Sequence, residues 1–457
     1  MHLWCWLALV AFIPVTSSTS PGVKVKITEK GLDSYFLIQL SIRNSKPSKS
    51  PIFQGPKKWL PLARMQIMNL GLPKSALTLA PGTGVSLSIS NAFINLHGNW
   101  KVKYMNFIKD SGSFDLSVNG LTITTSISVK SDETGRPVVN SVNCGATVGS
   151  AKIKFHGGAS WLYNLFSKFI DQALRKALQK QICPLVADAI SELNPHLKTL
   201  NVLAKVDKLA EIEYSMVSSP VISKSSIDLS LKGEFYNIGQ HQEPPFSPKP
   251  FPMPPQVNNM LYIGVSTFTI NSAAFVYNKA GALSLFITDD MIPPSSPIRL
   301  NTRTFGAFIP QIAKRFPGLM MKLLVKTVKD PGITLEGNNV TVQTTSTVTA
   351  YAIQPNSTLT PLFILNVDIS VSARMYLTEM RLAGAVALNT MDMNLRTSYV
   401  GDFQVRPLQN IFQIVLKVAV IPRVNAQFQK GCPLPAIGKM KLVNSQLQVL
   451  KVRHSVI

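Results

Sequence analysis

Residues 159–182 read ASWLYNLFSKFIDQALRKALQKQI, and this stretch decides the architecture of the N-terminal half. Apolar residues recur every three or four positions with basic and polar residues between them, which is the pattern of an amphipathic α-helix. Pro184 is expected to end or kink the helix, and a second helical stretch is expected to run to about Leu193. So broad an apolar stripe needs a sheet, or a ligand in place of a sheet, to cover it.

Residues 76–155, before this helix, alternate apolar and polar residues as half-buried strands do. Gly98, Gly112, Gly120 and Gly135 are expected in turns between the strands. The second half repeats the order, with strands over 261–288, a helical stretch near 305–325, more strands and a helix from about Pro407. The pattern predicts an α+β chain of two related, barrel-like halves.

Seven prolines within residues 243–255 predict a stiff, extended linker. The short apolar run at residues 3–15, followed by small residues, is typical of a secretory signal peptide, although a buried N-terminal strand is the alternative. No later stretch is expected to span a membrane. The expected division is a signal peptide at 1–20, an N-terminal barrel at 21–240, the linker at 241–260 and a C-terminal barrel at 261–457.

The 457-residue chain is strongly basic, with a formal net charge of +23, and the charge is uneven. Residues 21–110 hold 13 basic and three acidic residues. An excess of this size favours anionic partners, either nucleic acid or acidic lipid, over a plain solvated surface. Tyr104 and Phe107 interleave with lysines at 101–109, a pattern that also suits single-stranded nucleic acid. A secreted chain favours lipid headgroups, so no nucleic-acid partner is expected.

Residues suited to catalysis are sparse. No nucleophile elbow, phosphate-binding loop or zinc-protease motif occurs, so neither an enzyme nor a cofactor is expected. The adjacent acids Asp289 and Asp290 could bind a cation, but a cap or salt bridge at a turn is the favoured interpretation. The sequence contains no cluster of Cys and His residues, so no metal site is expected.

Cysteines and asparagines add two modest expectations. After Cys5 leaves with the signal peptide, three cysteines remain, which allows one bridge and one spare thiol. Cys432 is either a reactive thiol or, more commonly, a small buried side chain. Asn339 and Asn356 begin triplets that accept N-linked glycans in a secreted chain.

Several segments, taken in order, resemble the family of bactericidal/permeability-increasing protein and lipopolysaccharide-binding protein. The segments that carry the resemblance span nearly the whole mature chain, and they are residues 21–33, 88–91, 112–117, 232–236, 244–246, 289–293 and 421–425. The resemblance implies two similar barrels of twisted antiparallel sheet with long helices, joined as a boomerang by a central sheet and the proline-rich linker. It also implies a disulfide between Cys144 and Cys183.

In function, the resemblance implies a secreted or granule-stored innate-immune monomer that binds lipopolysaccharide and the Gram-negative outer membrane. A phospholipid carrier without bactericidal action is the alternative. A cationic tip would bind lipid A phosphates, and the candidate residues are Lys46, Lys49, Lys57, Lys58, Lys101, Lys103, Lys109, Lys152 and Lys154. Phospholipid acyl chains would occupy an apolar pocket, whose candidate residues are Trp161, Leu162, Leu165, Phe166, Phe169 and Ile170.

The chain departs from the family pattern at two places. Residues 34–61 contain a Lys/Ser/Pro-rich stretch where the family continues into an amphipathic helix, so a first helix is not expected there. The run at 101–109 is also less basic than in the strongest lipopolysaccharide binders. The four lysines at 46–58 are expected to compensate.

Overall fold

The computed structural model describes residues 20–32, 62–72, 74–104, 108–253, 255, 258–337, 339–434 and 443–450. The expected signal peptide up to residue 19 lies outside these ranges. So do four of the candidate lysines, which are Lys46, Lys49, Lys57 and Lys58.

Antiparallel strands dominate both halves. In the N-terminal half and the centre they are β1 (Val23–Thr28), β2 (Leu62–Gly71), β3 (Lys74–Ala80), β4 (Gly84–Tyr104), β5 (Ile108–Ser131), β6 (Pro137–Thr147), β7 (Ser150–His156), β8 (Leu203–Lys205), β9 (Ala210–Glu213), β10 (Val221–Ile222), β11 (Ser226–Leu231) and β12 (Glu234–Asn237). The later strands are β13 (Leu261–Val265), β14 (Ser284–Ile287), β15 (Met321–Thr327), β16 (Gly332–Glu336), β17 (Asn339–Ile353), β18 (Leu359–Thr378), β19 (Arg381–Ser398) and β20 (Cys432–Pro433).

Helices are fewer and several are short. They are α1 (Ser160–Leu165), α2 (Ser167–Ser191), α3 (Asn194–Lys198), α4 (Thr267–Lys279), α5 (Thr302–Gly306), α6 (Pro310–Arg315), α7 (Gln409–Val415) and α8 (Ile421–Phe428). A π-helical turn at Leu416–Val420 joins α7 to α8.

The N-terminal half is built on a six-stranded sheet in the order β2-β4-β5-β6, in which β3 also pairs with β4 and β7 with β5. Over the described residues this sheet is open and does not close into a barrel. The sheet of the second half is open as well. Three of the glycines expected in turns lie inside the long strands β4 and β5, and only Gly135 occupies a turn. Gly120 explains why glycine is needed within a strand, since its φ of 62° suits a residue without a Cβ.

The predicted amphipathic helix is present, but its boundaries differ from the prediction. It breaks at Phe166, where φ is −98° and ψ is 12°, and it then continues through Pro184 to Ser191. Pro184 removes one backbone donor, yet its fixed φ fits a helix. The adjacent Cys183 is bonded to Cys144 on β6, so this turn stays attached to the sheet. The predicted disulfide is therefore confirmed.

Polar side chains of the helices satisfy the free edges of this sheet. The Asn164 side chain accepts a hydrogen bond from the Phe155 N–H and donates one to the Phe155 carbonyl, both at 3.1 Å. Asp171 accepts from the Ile153 N–H at 2.8 Å. An exposed strand edge would otherwise offer unpaired donors and acceptors to another chain. These bonds fix the position of α1 and α2 along β7.

A four-stranded central sheet in the order β10-β11-β1-β13 joins the two halves. The first strand of the described chain pairs with β11 on one side and with β13 on the other. Its location agrees with the expected central sheet. Strands β8, β9 and β12 form a separate three-stranded sheet beside it.

The proline-rich segment packs against the protein. Phe251 is buried, and its carbonyl accepts a hydrogen bond from Lys24 Nζ at 2.7 Å. At the start of the segment, Glu243 lies 3.6 Å from Lys232 Nζ, which also contacts Glu213 and Glu234. Burial alone lowers the pKa of Lys232, but these three carboxylates outweigh burial and raise it. The segment is a docked connection, and its expected role as a domain boundary stays a prediction.

The C-terminal half contains a seven-stranded sheet in the order β14-β15-β17-β18-β19-β20, with β16 paired to β17. Two sequence predictions are wrong here. Helix α4 replaces part of the strands expected over 261–288, because burial of Phe268, Phe275 and Val276 overrides the β-propensity of this aromatic and β-branched stretch. The helix expected near 305–325 is replaced by two short helices and β15, since Pro317-Gly318 follows α6 directly.

One helical segment, at 406–428, is long and apolar enough to cross a membrane by length and composition alone, against the expectation of none. Leu408, Ile411, Phe412 and Val415 are buried in the C-terminal hydrophobic core.

The structure decides two predictions about single residues, Asp289 and Cys432. Asp289 forms an ion pair with Arg299 and accepts the Leu300 N–H at 2.7 Å, so it holds a turn as the favoured interpretation expected. Cys432 is a free thiol whose pKa burial raises to about 12. A thiol with so high a pKa is a poor nucleophile at neutral pH.

We expect replacement of both Cys144 and Cys183 by serine to lower the free energy of unfolding by about 4 kcal/mol, because the bridge closes a loop whose ends are 39 residues apart. Urea denaturation followed by circular dichroism measures this. Cys432→Ala is the control, since it removes a thiol that is in no bridge. An equal loss in the control would contradict the assignment of stability to the bridge.

Candidate functional site

The strand register places the candidate lysines of β4, β5 and β7 in adjacent outward positions. Lys101 pairs with Ser111, and Lys103 pairs with Lys109. On the other side of β5, Lys152 pairs with Ser117, and Lys154 with Asp115. Paired residues share one face of a sheet, and alternate residues of a strand point to opposite faces. The register therefore gathers these positions on one face, which we call the basic face.

Residues alternating with the lysines form the core on the opposite face of the sheet. Trp100, Phe114, Ile153 and Phe155 are all buried, whereas Lys101, Lys152 and Lys154 are exposed. Among the described residues, no ion pair or hydrogen bond is made by these three lysine side chains. They are available to an external anion. For Lys103 and Lys109 the structure describes the backbone positions only.

A carboxylate between two histidines lies in the middle of the basic face. Asp115 Oδ1 is 2.6 Å from His97 Nδ1, and Asp115 Oδ2 is 2.9 Å from His156 Nε2. The hydrogen bond from His97 contributes most to lowering the pKa of Asp115, slight burial opposes it, and the bond from His156 adds to it. Asp115 is the one acid among the described outward residues of β4, β5 and β7. Residues 97, 115 and 156 are far apart in the sequence, and only the strand register brings them together.

Helix α1 lies at one end of the inner face of this sheet and is anchored to β5. Asp110 Oδ2 accepts a hydrogen bond from the Ala159 N–H at 2.9 Å, and Asp110 Oδ1 accepts one from the Ser111 N–H. A Cβ on Gly158 would lie 2.0 Å from Asp110, so only glycine fits this approach. Since Ser111 is the register partner of Lys101, α1 begins beside the end of the basic face.

The candidate pocket residues lie on α1 and the start of α2, and five of the six are exposed. Trp161 is 68% exposed and Phe169 is 74% exposed. The other exposed members of this group, which we call the apolar face, are Leu162, Leu165 and Phe166. Ile170 is the one candidate pocket residue that packs against the core. Its neighbours Tyr163 and Leu174, which were not candidates, pack there too. The described residues thus present an open apolar face on the helix side of the sheet, whereas the basic face is on the other side, and these exposed residues do not enclose a pocket.

The second half has a different outer face and a separate cavity. Its exposed strand positions include Asp368 paired with Asp392. A cavity of about 530 Å³ lies between β18, β19 and the segment at 443–450, with Arg374, Met375 and Val449 in its lining. Within the part of the chain that the structure describes, no group of three or more His, Cys, Asp or Glu side chains is arranged to hold a metal ion.

Both candidate glycosylation sites are accessible. Asn339 and Asn356 are exposed, and each side chain forms a hydrogen bond to the threonine two positions later. Their modification stays a prediction.

Comparisons with known proteins cover almost the whole chain. The profile of the LBP / BPI / CETP family N-terminal domain matches residues 38–196, and the profile of its C-terminal domain matches residues 204–454. Bactericidal permeability-increasing protein of Sebastes schlegelii is 71% identical over 99% of this chain and 97% of its own length. Lipopolysaccharide-binding protein of Bos taurus is 32% identical over 97% and 94%. A crystal structure of lipopolysaccharide binding protein superimposes with a TM-score of 0.57 at 31% identity, covering 95% of this chain and 97% of that one.

We expect Asp110→Ala to release the start of α1 from β5, because the Ala159 and Ser111 N–H groups lose their acceptor. Loss of such a capping acceptor costs about 1 kcal/mol of stability. Limited proteolysis should then cut near residues 157–160 faster than in the wild type. Asp110→Asn, which keeps one acceptor oxygen, is the control and should resist cleavage better than the alanine variant. Equal cleavage of wild type and Asp110→Ala would show that this anchor is not needed.

Proposed function

Because the chain belongs to the LBP / BPI / CETP family, we propose that it binds lipopolysaccharide through the phosphates of lipid A and acts against Gram-negative bacteria. The basic face is the proposed site, and it includes Lys101, Lys152 and Lys154 with the register positions 103 and 109. Lys46, Lys49, Lys57 and Lys58 are proposed to extend it. A binding function without catalysis or a bound cofactor is proposed.

The single observation that supports this proposal most is the row of exposed lysines without partners. An ion pair with a neighbouring acid would reduce the attraction of each lysine for an external anion. Among the described outward residues of β4, β5 and β7 the one carboxylate is Asp115, and it binds His97 and His156 instead. Each basic residue held near an anionic membrane contributes about 1 kcal/mol, and salt screens that attraction.

The apolar face is the proposed contact for acyl chains. Trp161 and Phe169 are exposed on α1 and α2, and Asp110 on β5 anchors the start of α1. The apolar tails of a lipid match this exposed aromatic surface, and its anionic headgroup matches the basic face. Contiguous apolar exposure of this kind marks interaction sites in soluble proteins. We therefore propose an open acyl-binding face in the N-terminal half, with Ile170 supporting it from the core.

A phospholipid carrier is the second candidate function. The cavity of about 530 Å³ in the C-terminal half favours it, because this volume lies within the usual range of ligand sites. If the purified full-length protein carries bound phospholipid and shows no preference for lipid A, the carrier function is favoured.

We also propose the remaining properties that the sequence indicated. The chain is secreted or stored in granules after loss of residues 1–20, acts as a monomer on the outer membrane, and carries glycans at Asn339 and Asn356. The domains extend over 21–240 and 261–457 with the segment at 241–260 between them.

Charge reversal at Lys101, Lys152 and Lys154 to glutamate should weaken binding to lipid A at low salt by at least about a hundredfold, since three contributions of about 1 kcal/mol are lost. Surface plasmon resonance across a salt series measures the affinity. Reversal of the exposed Lys208, Lys224 and Lys249 changes the net charge equally and is the matched control. Unchanged affinity in the first variant, or equal losses in both, would refute the basic face as the site.

Replacement of Trp161 and Phe169 by serine should reduce the phospholipid and lipid A recovered with the secreted protein, because acyl chains lose their aromatic contacts. Mass spectrometry of extracted lipid gives the amount per protein molecule. The control is Leu185→Ser with Leu193→Ser, which removes exposed apolar residues farther along the same helical region. If lipid recovery matches the wild type, the apolar face does not hold acyl chains.

A further inference from the structure

The two histidines of the basic face each keep one ring nitrogen free of Asp115. His97 contacts Asp115 through Nδ1 and His156 through Nε2. Among the described residues, no hydrogen bond is formed by His97 Nε2 or His156 Nδ1. Both rings are about 40% exposed, so these free nitrogens are accessible to a ligand in solvent.

We propose that His97 and His156 are additional phosphate ligands of the basic face, engaged when the two rings are protonated. This inference rests on the proposed function, because it assigns new ligands and a pH dependence to the same site. The anion that they recognise is the phosphate of a lipid headgroup.

Hydrogen-bond chemistry explains the dependence on protonation. A carboxylate only accepts, so a neutral ring must place its single proton on the nitrogen that faces Asp115. The outward nitrogen then carries a lone pair and cannot donate to phosphate. A protonated ring keeps its bond to Asp115 and adds an N–H donor on the outward side. Histidine changes charge between about pH 5 and 8, so the change falls in a physiological range.

Lysines near the histidines in the sheet are on β4, β5 and β7, and β2 carries Arg64 two positions before the register partner of His97. Lys101 and Lys103 are on β4, Lys109 is on β5, and Lys152 and Lys154 are on β7. On the remaining neighbour, β2, the residue paired with His97 is the uncharged Gln66. The two rings thus lie on a face that, over the described residues, has one carboxylate, Asp115, and several lysine positions.

Protonation reverses the sign of this cluster. With neutral rings, Asp115 and the two histidines carry a net charge of −1 in the centre of the face. With both rings protonated, they carry +1. The three described lysines, Asp115 and the two histidines together change from +2 to +4 once both rings are charged. A phosphate thus gains two donors and meets no net negative charge between the lysines.

Binding to vesicles of phosphatidylcholine with a minority of phosphatidylglycerol tests this inference, measured by flotation at constant ionic strength. The phosphodiester of phosphatidylglycerol keeps its charge over this pH range, so a change with pH reports the protein. The full-length wild type should bind about thirtyfold more tightly at about pH 5.5 than at about pH 7.5, from two added cations.

Variants separate the histidines from other groups. His97→Gln with His156→Gln should bind as the wild type does near neutral pH and lose the gain at acidic pH, because glutamine donates to Asp115 without titrating. Each single variant should retain a gain of about fivefold, from one added cation. His196→Gln, on the exposed helix α3, is the matched control and should keep the full gain.

The possible outcomes are distinct. If the double glutamine variant shows the same gain as the wild type, the inference is wrong and the proposed function stands. If the wild type binds these vesicles at neither pH but binds lipid A, the inference is wrong and the proposed function stands; if it binds neither, the proposed function itself fails. Circular dichroism of each variant at both pH values shows whether it is folded. If the double variant is not folded, the single variants test the inference.

Discussion

The alternation of inward and outward residues along β4, β5 and β7 is the constraint on which the N-terminal half depends. Trp100 is buried and Lys101 is exposed because neighbouring residues of a strand must point to opposite faces. The inward side chains form a compact aromatic group, in which the ring of Trp100 lies 5.9 Å from Phe155 and 5.0 Å from Tyr163. A register slip of one residue would bury the lysines and expose this group. Packing of the core therefore also positions the basic face.

Helix docking follows from the same sheet. Asparagine and aspartate side chains of the helices bond to the backbone of the strand edges, as Asn164 does at Phe155 and Asn194 at Val139. The second half uses the same arrangement, because Asn425 on α8 bonds to the N–H and carbonyl of Val386. This shared arrangement supports two halves of related construction. The row of exposed lysines (Lys101, Lys152 and Lys154) is in the first half, where the headgroup site is proposed, whereas the second half exposes the pair Asp368 and Asp392.

The separation of Asp115 from the lysines has a functional consequence. In a sheet, Lys154 lies directly opposite Asp115 and would be an obvious ion-pair partner. The two histidines occupy both carboxylate oxygens instead. Lysines on this face therefore keep their charge for an external partner, while the carboxylate is held in a group that can change sign. The proposed attraction to a lipid surface and its proposed dependence on pH both rest on this one arrangement of side chains.

The amino-acid sequence by itself determined the class of the fold, the amphipathic helix, the disulfide partners through the family resemblance, and the excess of positive charge. These properties are local or compositional, so the alternation at 121–129 and the helical spacing at 161–182 were sufficient to predict them. Tertiary structure alone decided that the sheets stay open, that α4 is a helix, and that Trp161 and Phe169 face outward. It also brought together His97, Asp115 and His156, whose encounter depends on the pairing of three strands. Core packing determines which distant strands pair, and the periodicity within a single segment does not predict that pairing.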